Sequence, residues 1–423
     1  MLTIRPRGTT DILPDQSGKW QYIENVAAEV CRTYGYREIR TPIFEHTELF
    51  IRGVGETTDI VEKEMYTFPD RAERSVTLRP EGTASVVRAF LENKLYAGPQ
   101  PVKVYYLGPM FRYDKPQAGR YRQFHQFGIE VFGASHPAVD AEVMAMAMDF
   151  YHRLGLSDLD LHINSLGCPE CRKIMREKLQ QFFAPHISEL CPYCQNRYTR
   201  NTLRILDCKS DRCRELAQDA PTTADFLCPD CRNHFEQVQQ YMHVLQIPYI
   251  WDKHLVRGLD YYTHTAFEII SKDIGAQSSV GGGGRYNGLI EDCGGPSTPG
   301  IGFALGLERT MLIMEKLNKL PIAQSGLQVF IAALGNEALQ KSFELLAKLR
   351  AAGISADMDY TGRSLKAQMK YAGKLDIPYV VIIGDDEIKK NSVILRNMAA
   401  GGQKEISTDE LIEVLSQYYP ERY

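Results

Sequence analysis

VKVYYLGPMFRYD (102–114) and QFHQFGIEVFG (123–133) are long runs rich in β-branched and aromatic residues, joined by the polar, glycine-containing KPQAGRYR. Such a pair predicts a hairpin of two long strands with a mobile loop between them. Side chains alternate across a strand with a period of two. Phe127, Ile129 and Val131 therefore take one face, and Gln126, Gly128 and Glu130 the other. The first face reads as core. The second carries an amide and a carboxylate on either side of a glycine that leaves space above the sheet, which marks it as a binding surface.

Upstream, Trp20, Ile23, Ala27, Val30 and Tyr34 recur at helical spacing after Pro14 and Asp15, predicting a helix over 15–34 closed by Gly35. YREIRTPIFEHTELFIRG (36–53) reads as a strand interrupted by Pro42. MYTF (65–68) and SVTLRP (75–80) read as a hairpin, with a helix through TASVVRAFLEN (83–93). Downstream come a Met/Ala-rich helix (137–155), a strand LDLHINS (159–165), a helix 233–246 and strands near 248–270. GIGFALGLERTMLIMEKL (300–317) reads as a glycine-spaced strand entering a helix. VGGGGRYNGLI (280–290) lacks both the Gly-Lys-Ser/Thr ending of a phosphate-binding loop and the GxGxxG spacing of a dinucleotide fold, so a tight turn near a ligand is expected. The segment 318–327, with Pro321, reads as a linker. Beyond it VFIAAL, a helix 336–352, SADMDY, a helix 364–375, YVVIIG, SVILRNM and a helix 408–419 alternate as an α/β module with a mixed sheet.

The 423 residues exceed what one ordinary core organises, so two or three domains are expected. Apolar residues at 44% and charged residues at 24% are the balance of a globular chain. No run approaches the ~20 apolar residues of a membrane span, and MLTIRPRGTTDILPD lacks the pattern of a secretory signal. No membrane partner and a cytoplasmic address follow as expectations. A net charge of −4 argues against coating nucleic acid through bulk charge, while leaving room for a local basic surface.

Cys31 and Cys293 stand alone and read as small apolar residues. The other eight cysteines fall in CPEC (168–171), CPYC (191–194), CKSDRC (208–213) and CPDC (228–231). In a reducing compartment that crowding points to metal before disulfides, and C-x₂-C is zinc-ligand spacing. Eight thiolates make two Cys₄ sites, or one site with spare cysteines. The pairing that closes the block at its neck joins Cys168/Cys171 to Cys228/Cys231 and leaves Cys191/Cys194 with Cys208/Cys213; spacing does not fix it. With every ligand supplied by the protein, such zinc is structural.

Three segments together resemble the class II aminoacyl-tRNA synthetases: REIRTPIFE with Pro42, FRYD…RYRQFHQFGIEVFG, and GIGFALGLER (300–309). LVRGLDYYTHTAFE (255–268), GGGGRYNGL (281–289) and TLRPEGTA (77–84) narrow the resemblance to the histidine–tRNA ligase family, over nearly the whole chain. The resemblance implies an α+β catalytic domain, an antiparallel sheet flanked by helices, over 1–322. A Cys-rich insertion interrupts it at 166–236, and an α/β anticodon-binding domain follows at 327–423. It also implies a homodimer that uses ATP with Mg²⁺ to join L-histidine to tRNA(His).

By resemblance, Glu81, Gly82 and Thr83 with Gln126 hold the α-amino end of histidine. Glu130 and Tyr262 address the imidazole, and Tyr261 and Tyr286 shape its pocket. Arg112 and Arg257 are the catalytic arginines, both on the α-phosphate, and both border the histidine site. Arg309 takes the γ-phosphate and adenine, and Arg120 contacts the nucleotide or the tRNA end. Arginine's planar fork suits phosphate oxygens at each of these places. Asp114 and Lys115 depart from the family's usual Glu-Arg, which puts their adenine and acceptor-end contacts in doubt. A regulatory paralogue, the synthetase-like subunit of ATP phosphoribosyltransferase, would have degraded histidine motifs and no C-terminal module. A ligase for proline, threonine or glycine would lack those motifs, and a zinc-ribbon nucleic-acid binder would leave most of the chain unexplained.

Overall fold

The computed structural model describes residues 3–272, 279–321 and 326–418. Within it the alternating pattern of 102–133 becomes the centre of a large sheet. In chain order the strands of the first compact unit, Met1–Pro321, are β1 (Arg37–Glu38), β2 (Phe44–His46), β3 (Tyr66–Pro69), β4 (Ser75–Leu78), β5 (Val102–Phe111), β6 (Gln123–Phe132), β7 (Leu159–Ser165), β8 (Ile250–Trp251), β9 (Thr263–Ser271), β10 (Ser279–Arg285) and β11 (Gly300–Gly306). Eight of them run in the order β1-β5-β6-β11-β10-β9-β7-β8. The six central strands are antiparallel, and β1 and β8 add at the edges in parallel. The remaining three form a small antiparallel sheet, β2-β4-β3.

The core lies on the face chosen by the alternation. Phe127, Ile129 and Val131 are fully buried against helix Pro14–Thr33 (Ile23, Ala27, Val30), helix Pro137–Arg153 (Met144, Ala147, Phe150) and helix Pro229–Val244 (Phe235, Val238, Met242). Each such side chain contributes ~1.5–3 kcal/mol through burial, so one face of the sheet is anchored along its length.

Three local readings differ from what forms. Residues 47–54 are a helix, Thr47–Val54, rather than a continuing strand, because Thr47, Phe50 and Val54 bury one helical stripe. The four glycines 281–284 lie inside β10 rather than in a turn. A Cβ on Gly283 would stand 2.0 Å from the Gly302 carbonyl oxygen, so β10 and β11 approach more closely than side chains allow. The space above Gly128 is filled by the Tyr106 ring, which a Cβ there would meet at 2.2 Å.

The insertion runs between β7 and β8 as helices Pro169–Phe183, Pro192–Arg200 and Asp211–Gln218 with short 3₁₀ turns, and it returns through helix Pro229–Val244. Each CP dipeptide starts a helix: Cys168, Cys191 and Cys228 are N-caps followed by proline, which needs no partner for a missing N–H at that position.

The second unit, Ile322–Tyr423, contains β12 (Val329–Ala333), β13 (Ala356–Met358), β14 (Tyr379–Ile383), β15 (Ser392–Asn397) and β16 (Gln403–Ser407) in the order β13-β12-β14-β15-β16. The first three are parallel and the last two antiparallel, a mixed sheet. Val329, Ile331, Val381 and Ile383 face the helices Asn336–Ala351 and Glu410–Tyr418, whereas Phe330, Ala332 and Val380 face Leu365–Lys374. β16 was not predicted, because an edge strand bearing Lys404 and Glu405 shows no apolar signal. Of the linker 318–327, residues 322–325 lie outside the described residues, as does residue 419 of the final helix.

Candidate active site

On the sheet face opposite the core lies a cavity of about 490 Å³. It contains Gln126 and Glu130 of β6, as the alternation requires, together with Glu81, Thr83, Arg112, Arg120, Arg257, Tyr261, Tyr262, Tyr286 and Arg309. Eleven residues chosen from sequence thus converge from six segments of chain. Gly82 does not line the cavity. It packs beneath, where a Cβ would meet the Tyr106 ring at 2.2 Å. Lys115 is likewise absent from the wall, while Asp114 is present and paired with Arg120.

Glu130 is the most constrained group. It is 1% exposed, accepts a hydrogen bond from the Tyr286 hydroxyl at Oε2, and its Oε1 has no partner among the described residues. Burial pushes its carboxyl well above the ordinary carboxylate value, against the opposing bond from Tyr286. The glycine spacing of β11 makes this possible: a Cβ on Gly302 would stand 2.0 Å from Glu130 Oε2, and one on Gly300 2.2 Å from the Tyr286 ring. Tyr261 packs at a tilt against Tyr262 (ring centroids 4.7 Å apart) and edge-on against Tyr286 (5.7 Å), making an aromatic wall. Gln126 Oε1 is also buried without a partner among the described residues.

Glu81 is tied to the backbone of the helix that follows it. Its carboxylate accepts the backbone N–H groups of Thr83 and Ala84, both at 2.8 Å, which caps helix Thr83–Glu92. Burial raises its proton affinity, and those two N–H bonds oppose the rise. Arg112 leaves the end of β5, with its Nε donating to the Pro80 carbonyl at 2.8 Å and its plane over Phe124 at 5.3 Å. Arg257 pairs with Glu268 at 3.1 Å, and its Nε is buried without a partner among the described residues. Arg309, in the first turn of helix Leu307–Lys316, donates to the carbonyls of Gly119 and Ser279 and lies in the positive field of Arg120 and Arg112.

Several wall residues were missed from sequence. Glu268 stands on the non-core face of β9, between core residues Phe267 and Ile269, and the period-two argument that found Glu130 would have found it. Glu308 also lines the cavity and accepts the His125 backbone N–H at 2.9 Å. Arg204, Asp207 and Lys209 come from the insertion, and nothing in their local sequence signals the placement.

The eight clustered cysteines resolve into two groups, Cys168/Cys171/Cys228/Cys231 and Cys191/Cys194/Cys208/Cys213, with the sulfurs of each within 4.8 Å of one another. This is the pairing that closes the insertion at its neck. Cys168 and Cys171 Sγ are 3.6 Å apart, and Cys191 and Cys208 Sγ 3.8 Å. A tetrahedron of sulfurs at 2.3 Å from a metal has edges of ~3.8 Å, so both groups can hold an ion. Backbone N–H groups of Cys168, Cys191 and Cys228 donate to Sγ of Cys231, Cys213 and Cys171, each at 3.2 Å, as suits thiolates.

A six-strand antiparallel core with arginines after β5 and β11 facing one cavity defines the catalytic fold of a class II aminoacyl-tRNA synthetase. Comparison with known proteins narrows this. The family profile described as histidyl-tRNA synthetase matches residues 8–310, and that of an anticodon binding domain matches 328–418. A histidine–tRNA ligase of Desulforamulus reducens is 66% identical over 413 residues, 97% of this chain and 98% of the relative. One from Moorella thermoacetica is 60% identical over 98% of both chains. The crystal structure of apo S. aureus histidyl-tRNA synthetase superposes with a TM-score of 0.84 at 46% identity, over 98% of this chain and 99% of that one. The chain belongs to the histidyl-tRNA synthetase family.

Proposed function

We propose that the chain activates L-histidine with ATP to histidyl-adenylate and transfers the histidyl group to the 3′ end of tRNA(His). The observation that carries the reading is the pairing, in one cavity, of a buried acceptor set (Glu130, Gln126, Glu81 and the tyrosines) with Arg112, Arg120, Arg257 and Arg309. Histidine offers an ammonium, a carboxylate and a ring with N–H donors, and ATP offers phosphate oxygens. The two substrates call for these two sets.

Glu130, with its open Oε1, accepts from the imidazole N–H, and Tyr262 and Tyr286 fix the ring. Glu81, Thr83 and Gln126 take the α-amino group. A site built on such acceptors rejects amino acids lacking the ring N–H, because its own buried groups would be left unpaired. A carboxylate oxygen of histidine then attacks the α-phosphorus, and the bond to the bridging oxygen of pyrophosphate breaks. Arg112 and Arg257 stabilise the charge that accumulates on the α-phosphoryl oxygens. Arg309 and Arg120 hold the rest of the triphosphate. Glu268 and Glu308 would offer hard oxygen donors to a Mg²⁺ arriving with ATP, which would screen the phosphate charge.

Both cysteine groups fit structural Zn²⁺, whose role is to hold the insertion together and leave no open coordination position for substrate. Among the described residues no helix is long and apolar enough to cross a membrane. All ten cysteines are free of disulfides, in keeping with a cytoplasmic address. Ile43 and Phe44, exposed beside Pro42, support a homodimer. The division into a catalytic domain (1–322), its insertion (166–236) and an anticodon-binding domain (327–423) accords with this function. The test is charging: purified protein with labelled histidine, ATP and tRNA(His) yields acid-precipitable histidyl-tRNA, and failure to charge a tRNA(His) that a known histidine–tRNA ligase does charge overturns the reading.

A further inference from the structure

The loop Arg257–Tyr262, which carries Arg257, Tyr261 and Tyr262, has few bonds to the sheet on which the rest of the cavity is built. Its backbone carbonyls are instead held from the insertion. Arg204 Nη1 donates to the Arg257 carbonyl at 3.0 Å. Arg172 Nη1 donates to the carbonyls of Asp260 and Tyr262, both at 3.1 Å. The two arginines thus grip the loop at its beginning and its end. Gly258 permits the first grip, since a Cβ there would stand 3.0 Å from Arg204 Nη1.

Each arginine is itself fixed. Arg204 has a side chain only 11% exposed and lies between Asp59 and Asp207, each at 3.7 Å. Its carbonyl accepts from Arg197, which in turn pairs with Asp59 at 2.9 Å. Asn201 adds a bond to Asp260 Oδ1 at 2.6 Å, and Thr57 binds the other oxygen of the same carboxylate at 2.5 Å. Leu203 and Leu206 pack against Val256 and Tyr262. Arg172 directly follows Cys171 of one cysteine group, and Arg204 lies between Cys194 and Cys208 of the other. A guanidinium that bridges backbone carbonyls fixes a loop as a neutral side chain cannot, because several of its donors are engaged at once.

We infer that Arg204 and Arg172 are positioning residues for amino-acid activation: from the Cys-rich insertion they hold the Arg257–Tyr262 loop in place, so the insertion is part of the adenylation site even without tRNA. The inference rests on the placing of Arg257 in that site. Arg204 acts through Arg257, so its loss lowers kcat while leaving KM for histidine nearly unchanged. Misplacing a catalytic group by about 1 Å costs up to roughly 100-fold.

The experiment is tRNA-free, histidine-dependent ATP–pyrophosphate exchange on the full chain with Arg204→Ala, Arg204→Lys, Arg172→Ala, Arg257→Ala and the double variant Arg204→Ala/Arg257→Ala, with melting temperatures measured alongside. The expected result is a kcat roughly 10- to 100-fold lower for Arg204→Ala, partly restored by added guanidinium ion and intermediate for Arg204→Lys. In the Arg257→Ala background the same change costs less than about threefold, because the group it positions is gone. Wild-type rates for both Arg204→Ala and Arg172→Ala, or an equal loss in both backgrounds, overturn the inference while the site reading stands. Near-wild-type exchange by Arg257→Ala overturns the site reading and the inference with it. If Arg204→Ala does not fold, Arg204→Lys alone decides: full activity overturns the inference, and a kcat defect without a histidine KM defect supports it.

Discussion

In the cavity, Glu130 and Gln126 stand on a strand whose other face buries Phe127, Ile129 and Val131, and the strand is hydrogen-bonded on both sides. In the insertion, Cys194, Cys208 and Cys213 share a small core with Leu179, Phe183 and Ile205. The first region is held by a wide apolar face and a continuous ladder. The second has short helices, little apolar area and two tetrads of sulfur. A core that small needs a staple, and metal supplies what burial does not. The difference teaches that the polar groups on the sheet are set by the fold, while those reaching the cavity from the insertion depend on its sulfur knots.

The largest expected effect strikes the weaker region. Structural zinc contributes on the order of 10 kcal/mol to small metal-dependent folds. Native mass spectrometry should find two zinc ions per chain, and stripping them under denaturant should make residues 166–236 sensitive to protease while the sheet stays protected. Metal-free protein with an equally protected insertion would erase the contrast.

Next is the junction. Asp140 is fully buried against Arg285 at 2.6 Å and also meets His234 of the helix returning from the insertion at 3.3 Å. Burial alone would raise the Asp140 carboxyl, but Arg285 and His234 hold it below its ordinary value. Asp140→Asn should cost about 3–5 kcal/mol at neutral pH by leaving a buried guanidinium without its counter-charge. A carboxylate lowered in the folded state contributes stability above its unfolded value and loses it as pH falls through the folded one, so the deficit should shrink in acid. Denaturant unfolding at pH 7 and at a pH below the ordinary carboxylate value checks both halves; a deficit that grows in acid would contradict the assignment.

Within the cavity, Arg112→Ala should lower exchange kcat by about 100- to 1,000-fold, the scale of losing one preorganised donor to a developing charge. A change confined to KM would reassign it to ground-state binding. The smallest effect expected is for Glu130→Gln, which keeps shape and one acceptor but turns the other oxygen into an N–H donor. Histidine kcat/KM should fall about 10- to 100-fold, with KM for ATP nearly unchanged.

The sheet and the cavity floor were legible because their signal is local: the alternation in 123–133 names both the core and the binding face. The glycines of 300–306 were recognisable, although their task, making room for Glu130 and the Tyr286 ring, appears only across the strand pair. The cysteine pairing was favoured because it closes the insertion at its neck, although spacing alone left it open. Residues 281–284 were misread because a glycine run looks alike in a turn and in a crowded central strand. Arg204 and Arg172 were invisible, because their partners lie 53 and about 90 residues away and no period links them.

The most direct test of the central claim is ATP–pyrophosphate exchange across all twenty amino acids without tRNA. The account predicts exchange with histidine alone, abolished by Arg112→Ala. Exchange driven by another amino acid, or none with any from protein that binds ATP, would contradict it.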